Sequence, residues 1–289
     1  MSDVDVLVLG TRGSQLALAQ SGQVGQTISE LTGVRVELRV IRTRGDQVQD
    51  RPLAAIGGKG LFTAELEEAL RDGSIDFAVH SLKDLPTEDA EGLCLGAFPL
   101  RADPRDALVG APLDQLRQGA VVGTGSLRRR TQLQALRPDL ELRDIRGNVD
   151  TRLAKRDRGD YDAVVLAMAG LGRLGIQRPD IVPLEVDQVL PAVGQGILGL
   201  QCRRDDTRVL GLLASVDHPD SRSAALAERA FLAAYGGGCD VPVACHVRLV
   251  GGSLHGEAAG PQGAGVRRVR LQGADPVALG QELARQLRA

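Results

Sequence analysis

Val4-Asp5-Val6-Leu7-Val8-Leu9-Gly10-Thr11-Arg12-Gly13-Ser14 is a strand running into a glycine turn and then into the start of a helix. The run Val4 to Leu9, apolar but for Asp5, suits a strand buried on both faces, as in a parallel sheet. Ser14 is placed to cap a helix carrying Leu16, Ala17 and Ala19. The unit repeats downstream. Val34 to Ile41 reads as a strand, Gly57-Gly58-Lys59-Gly60 as a glycine loop opening the helix Leu61 to Leu70, and Ile75 to Val79 as a further strand ending in His80-Ser81-Leu82-Lys83-Asp84-Leu85-Pro86. This β-α-β-α order predicts an α/β domain with mainly parallel strands.

Pro99 and Pro104 mark a crossing into a second unit, where Val121-Val122 and Gly123-Thr124-Gly125-Ser126 form another strand-to-helix turn. Leu140 to Ile145 and Ala163 to Ala167 are its other strands, and Ile197 to Cys202 returns to the first sheet. From about Ser215 the pattern changes to a helix over Ser221 to Tyr235, a loop around Cys239, and short strands near His246 to Val250, Leu254 to Ala258 and Val266 to Leu271. Leu279, Leu283 and Leu287 then line one face of a closing helix. No internal repeat is evident.

The chain has 289 residues, about two domains' worth or three small ones, and is 43% hydrophobic but only 2% aromatic, so its cores rest on aliphatic side chains. Its acidic opening is unlike a secretory signal, and no apolar run approaches a membrane span. The four cysteines, Cys94, Cys202, Cys239 and Cys245, show neither CxxC pairs nor zinc spacing and read as thiols of a reducing cytoplasm, with no metal expected. Net charge is −2, yet residues 124–158 hold ten basic side chains against five acidic, and only three lysines (Lys59, Lys83, Lys155) stand among 32 arginines.

Several turns carry groups suited to anions. Ser126-Leu127-Arg128-Arg129-Arg130 opens a helix where backbone N–H groups and guanidiniums converge, and Arg146-Gly147-Asn148 with Arg152 adds donors. A solvated helix face with ion pairs is the plain alternative. Nucleic acid is disfavoured by the slight negative charge and the scarcity of stacking aromatics, whereas a small molecule with several carboxylates suits forked guanidiniums. Ser81-Leu82-Lys83-Asp84 follows the carboxyl end of a strand, where open α/β sheets bind ligands. Arg12, Ser14 and Lys59 face the same crevice, and His80 is read as structural. Gly194-Gln195-Gly196-Ile197-Leu198-Gly199 matches GxGxxG, but a strand follows it where a dinucleotide site needs a helix. Gly236-Gly237-Gly238-Cys239-Asp240-Val241-Pro242 presents one thiol between glycines and a stiffening proline. A turn holding a small, core-like cysteine is the alternative there.

Together these stretches closely resemble the porphobilinogen deaminase family over almost the whole chain. The matching residues are Thr11-Arg12-Gly13-Ser14, Thr43-Arg44-Gly45-Asp46, Gly57 to Phe62, Ala78 to Pro86, Gly123 to Arg129, Leu142 to Asn148 with Arg152, Leu166 to Leu171, Pro191 to Gly196 and the Cys239 loop.

The resemblance implies an α/β fold of three domains: 1–98 with 197–214, 99–196, and a small α+β domain 215–289 carrying the cysteine. The first two would resemble type II periplasmic binding protein lobes. It also implies a transferase of tetrapyrrole (porphyrin, heme) biosynthesis, with a dipyrromethane cofactor held by a thioether to Cys239. Four porphobilinogen units would add in succession, each losing ammonia, before hydrolysis releases hydroxymethylbilane. Asp84 would be the catalytic carboxylate that stabilises cationic intermediates. Arg12, Ser14, Lys59, Ser81, Lys83, Thr124, Ser126, Arg128, Arg129, Arg146, Arg152 and Arg173 would hold ring carboxylates.

A cytoplasmic monomer without nucleic-acid or membrane partners is expected. The rival is a two-lobed anion-binding protein without catalysis. Ala55, Gly125 and Asp240 depart from the family pattern: a lysine is expected at 55, a serine at 125 and an uncharged residue at 240.

Overall fold

The protein is described here by a computed structural model covering residues 6–43, 63–237, 241–263 and 265–289. Lys59, Cys239, Ala55 and Asp240 lie outside the described residues, as do the whole Gly57 to Phe62 match and Arg44 to Asp46. The chain divides into two compact units, residues 1–101 with 197–222 and residues 102–196 with 223–289.

The first unit is built on one five-stranded sheet. β1 (Val6–Thr11), β2 (Arg35–Val40) and β3 (Phe77–Ser81) are parallel, while β10 (Leu198–Arg203) lies antiparallel between β3 and β4 (Leu93–Ala97), giving the order β2-β1-β3-β10-β4. Ile197 to Cys202 therefore returns to the first sheet as its sequence suggests. Helix α1 (Gln15–Thr32) and helix α6 (Thr207–Leu213) contribute Val24, Ile28, Val209 and Leu213 to a core with Leu7, Leu9, Phe77 and Leu200. Helix α2 (Ala64–Arg71) packs Leu66 and Leu70 against Ile75, Ala78 and Leu93 in a separate cluster. The sheet is thus covered on both faces at its centre, which is why β1 is continuously apolar, whereas the edge strand β2 carries Arg35, Glu37 and Arg39 and is mostly exposed. Ser14 caps α1 by accepting from the Ala17 N–H at 3.3 Å, and Gly33 ends the helix at φ +74°.

The second unit holds two sheets. In the larger, β6 (Val121–Gly123) is parallel to β7 (Glu141–Arg143) and to β8 (Ala163–Ala167), and β5 (Asp106–Val109) runs antiparallel between β8 and β9 (Ile181–Leu184), in the order β7-β6-β8-β5-β9. Strand for strand this is the arrangement of the first sheet: a parallel trio with its first strand in the middle, then an antiparallel strand donated from elsewhere in the chain. The fold is α/β with two like lobes, a duplication that the sequence does not display as a repeat. Helices α3 (Leu127–Leu136), α4 (Val149–Asp157) and α5 (Met168–Arg173) flank this sheet, with Leu133, Leu153 and Leu171 in its cores.

The smaller sheet is the antiparallel meander β11 (Ala244–Val250), β12 (Ser253–Gln262), β13 (Gly265–Gly273). Helix α8 (Pro276–Arg288) buries Leu279, Leu283 and Leu287, the face its spacing predicts. Gly280 lets α8 lie directly on helix α7 (Pro219–Tyr235): a Cβ there would stand 2.1 Å from the Ala227 carbonyl oxygen. Glu228 of α7 is fully buried, and its carboxylate accepts the Gly194 N–H at 2.6 Å and the Val247 N–H at 2.8 Å. It thereby ties the glycine turn before β10 to the small sheet. Gly194 and Gly196 adopt φ of +72° and +86°, and β10 follows them, so this GxGxxG lacks the helix that a dinucleotide site requires.

Candidate functional site

At the carboxyl ends of β1 and β3 the first unit has a pocket of about 70 Å³. Arg12 and Ser14 enter it from the turn after β1, Gln20 from the buried side of α1, Thr63 from the start of α2, and His80, Ser81 and Asp84 from the end of β3. The backbone arrangement explains the convergence. Parallel neighbours β1 and β3 end at the same edge of the sheet, so residues 70 positions apart in the chain meet there. Leu82–Asp84 forms a single 3-10 turn, closed by the Leu85 N–H to Leu82 carbonyl bond at 3.1 Å and anchored by the Leu82 N–H to Ile197 carbonyl bond at 3.0 Å. Leu82 and Leu85 are buried, which leaves Asp84 exposed at the pocket rim and Lys83 half-buried beside it.

Gln20 was not singled out by the sequence. It is buried, and its amide Nε2 donates to the Ser81 hydroxyl at 3.2 Å, fixing the first residue of the motif. The legible signal was positional: Gln20 falls three residues after Ala17 on the buried stripe of α1, where a polar side chain needs a partner.

His80 is buried, and its Nε2 pairs with Gln201 Oε1 at 3.1 Å. Burial, with Arg12 nearby and despite the Gln201 bond, pushes its pKa down to about 4, so it adds no charge to the pocket at neutral pH. The folded value lies below the unfolded value of about 6.5, so between them the unfolded chain binds the extra proton. Stability should fall by up to about 3 kcal/mol as pH drops from about 6.5 to about 4. His80→Gln should remove that part of the slope in urea melts across this range; identical slopes would refute the assignment.

In the second unit the arginines of the Ser126 turn are placed differently from one another. Ser126 caps α3, accepting the Arg129 N–H at 3.4 Å, and buried Thr124 accepts the Ser126 N–H at 3.3 Å through its hydroxyl. Arg128 and Arg129 are only 4% and 6% exposed and both engage Asp106, at 2.8 Å and 2.7 Å. Arg129 also donates to the Val165 carbonyl and Arg128 to the Leu190 carbonyl. Burial alone would raise the Asp106 pKa. The two guanidiniums more than reverse that and hold it well below the usual carboxylate range. Any ligand carboxylate taken by Arg128 or Arg129 is therefore shared with Asp106. The trio keeps one net positive charge, and Arg128 Nε, buried, has no hydrogen-bond partner among the described residues.

Arg173, at the end of α5, donates to the Gly196 carbonyl at 2.7 Å, and burial lowers its pKa to about 10, which leaves it charged at neutral pH. Arg146 is exposed, and Arg152 Nε donates to the Gly147 carbonyl at 2.8 Å, folding the turn before α4 back on itself. Gly147 is at φ +109°, and a Cβ there would meet Thr151 at 2.6 Å, so this turn is specific to glycine. A Cβ at Gly125 would come within 3.2 Å of the Ile145 carbonyl, so a serine there would need a small backbone adjustment.

In the first unit, the Arg12 pocket with its rim carboxylate suits a pyrrole ring that bears acid groups and an N–H, as each ring of a dipyrromethane does. In the second unit, taken by itself, the net positive charge of Arg128 and Arg129 beside Asp106 suits a carboxylate. No helix among the described residues is long and apolar enough to cross a membrane.

Residues 7–211 match the family described as "Porphobilinogen deaminase, dipyromethane cofactor binding domain", and residues 223–289 match "Porphobilinogen deaminase, C-terminal domain". The chain is 52% identical over 288 residues to the porphobilinogen deaminase of Roseiflexus castenholzii, covering 97% of this chain and 95% of that protein. It is 49% identical over 293 residues to that of Nitratidesulfovibrio vulgaris strain DP4, covering 98% and 93%. Among solved structures it is similar to the Bordetella pertussis BvgS periplasmic VFT2 domain, with 18% identity and a TM-score of 0.44 over 75% of this chain and 88% of that one.

Proposed function

Because the chain belongs to the porphobilinogen deaminase family, we propose that Asp84 is the carboxylate that carries its reaction and that Cys239 holds its dipyrromethane cofactor. The reaction is the head-to-tail condensation of four porphobilinogen molecules with loss of ammonia, followed by hydrolytic release of hydroxymethylbilane. The cofactor supplies the pyrrole primer from which the product grows.

The observation that carries the reading is the pocket that Asp84 shares with Arg12, Ser14 and Ser81. Porphobilinogen brings acetate and propionate groups for the cations and a pyrrole N–H for the carboxylate. As its amine departs as ammonia, positive charge develops on the ring. Asp84, fixed by the Leu82–Asp84 turn, is oriented to that charge without having to reorganise, the condition under which an electrostatic contact lowers a barrier. Arg12 and Lys83 orient the acid groups, Arg12 by a forked contact and Lys83 as a point charge. Ser14 and Ser81 add hydroxyl contacts, and Lys59 is assigned to the same task.

In the second unit Arg128, Arg129, Thr124, Ser126, Arg146, Arg152 and Arg173 are the carboxylate-binding set. Arg128 and Arg129 work as a pair held by Asp106. The division into 1–98 with 197–214, 99–196 and 215–289 belongs to this reading. So do a cytoplasmic location, a monomeric state and the absence of nucleic-acid or membrane partners.

Intact mass tests the assignment. Wild-type protein should carry an increment equal to two linked pyrrole units, and Cys239→Ser should fold without it. An increment retained in the variant would remove Cys239 from its role. Folded, unmodified and inactive wild type would favour the non-catalytic anion binder.

A further inference from the structure

We propose that Cys94 and Cys202 form a reversible disulfide under peroxide, a redox staple that joins the two chain segments of the first unit. Cys94 lies on β4 and Cys202 on β10, and the two face each other directly in the antiparallel register. Facing residues in such a pair stand with Cα atoms about 4.5–5.5 Å apart, inside the span of about 4.4–6.8 Å that a disulfide accepts. The thiols are hydrogen-bonding neighbours. Gly96 leaves the space beside them: a Cβ there would stand 3.2 Å from Cys202 Sγ and 3.1 Å from side chains of α6.

The two thiols differ in access. β4 is the edge strand and Cys94 is half-buried, whereas Cys202 is fully buried. Burial, reinforced by Cys94, pushes the Cys202 thiol up to about 12, so it remains protonated and does not meet an oxidant first. Cys94 is the entry point. Its sulfur attacks hydrogen peroxide, the O–O bond breaks, and a sulfenic acid and one water result. The Cys202 sulfur then attacks that sulfenic sulfur, its proton leaving with the hydroxyl as a second water, and the Sγ–Sγ bond forms. Two thiols are oxidised and one peroxide is reduced.

The bond closes a loop of more than a hundred residues (94 to 202) across a unit built from two separate segments of chain. Such closure restrains the unfolded chain, so the oxidised form melts higher. The staple is independent of Asp84 and Cys239 and stands whether or not their assigned roles hold.

The test treats the intact, primer-bearing protein with hydrogen peroxide and maps its peptides without reduction. The expected result is one linked peptide pair containing Cys94 and Cys202, lighter by two hydrogens. It should come with a raised melting midpoint, and dithiothreitol should reverse both changes. Cys94→Ser should show neither change while keeping wild-type turnover when reduced. Cys202→Ser should leave Cys94 carrying added oxygen. Accumulation of oxygenated Cys94 in the wild type with no linked pair, or two thiols still free once half-buried Met168 is oxidised, overturns the proposal.

Discussion

Asp84→Asn is expected to fold as the wild type does and to lose about a hundred- to ten-thousand-fold in turnover. The side chain is exposed at the rim of its pocket, and its turn is closed by backbone bonds and buried Leu82 and Leu85, so the substitution removes charge and little else. The amide still accepts a hydrogen bond from a pyrrole N–H, so porphobilinogen binding should persist. What disappears is the full negative charge facing the ring as ammonia departs. Ammonia release measured in a single turnover, with urea melts alongside, separates the two effects. Turnover within a few-fold of wild type would remove Asp84 from the reaction, and a melt shifted by several kcal/mol would make the loss one of folding.

Asp106→Ala is expected to destabilise the second unit by about 3–5 kcal/mol, enough to unfold a marginal domain. The change leaves Arg128 and Arg129 side by side, nearly sealed from water, with no carboxylate between them. Asp106→Asn keeps the shape and one acceptor oxygen and should lose less, so the difference between the two variants isolates the unpaired charge from the cavity. The pH dependence has the same sign as that of His80 but another cause, since the arginines hold Asp106 ionised against burial whereas burial keeps His80 neutral. The folded Asp106 value lies below the unfolded one, so its contribution is fully present above about pH 4 and is lost only as pH falls further, through the depressed value. Wild-type and Asp106→Asn urea melts should therefore differ most at neutral pH and converge in strong acid. A constant gap down to pH 2 would show that the carboxylate is not the charged partner of the arginines.

Much of this architecture is legible in the chain because its signals are short-ranged. Ser14 and Ser126 stand where their hydroxyls reach N–H groups three residues on, and the structure uses both as caps. Leu279, Leu283 and Leu287 are buried as their spacing requires. Ala163 to Ala167 is a strand with the limits its apolar run suggests. Boundaries moved where packing outweighed local preference: Ile75 to Val79 became Phe77–Ser81, which carries the strand into the Ser81 to Asp84 motif itself. The likeness of the two large sheets left no trace as a repeat. It resides in strand order and direction, which many unrelated apolar sequences satisfy.

The sequence by itself determined the α/β class, the position of the turns after β1, β3 and β6, and membership of the porphobilinogen deaminase family. These rest on periodicity, capping and motif, all written within a few residues of one another. The tertiary structure alone decided which charges are committed and which face the pocket. Asp106 opens an apolar strand more than twenty residues before Arg128, and only burial at one point makes it the partner of two arginines. Gln20 and Ser81 are brought together by the packing of α1 on the first sheet, and Cys94 and Cys202 by strand order. The physical reason is common to all of them. A buried polar or reactive group is defined by what lies across from it, and that neighbour, on a helix or on the next strand, is set by long-range burial, not by adjacent residues in the chain.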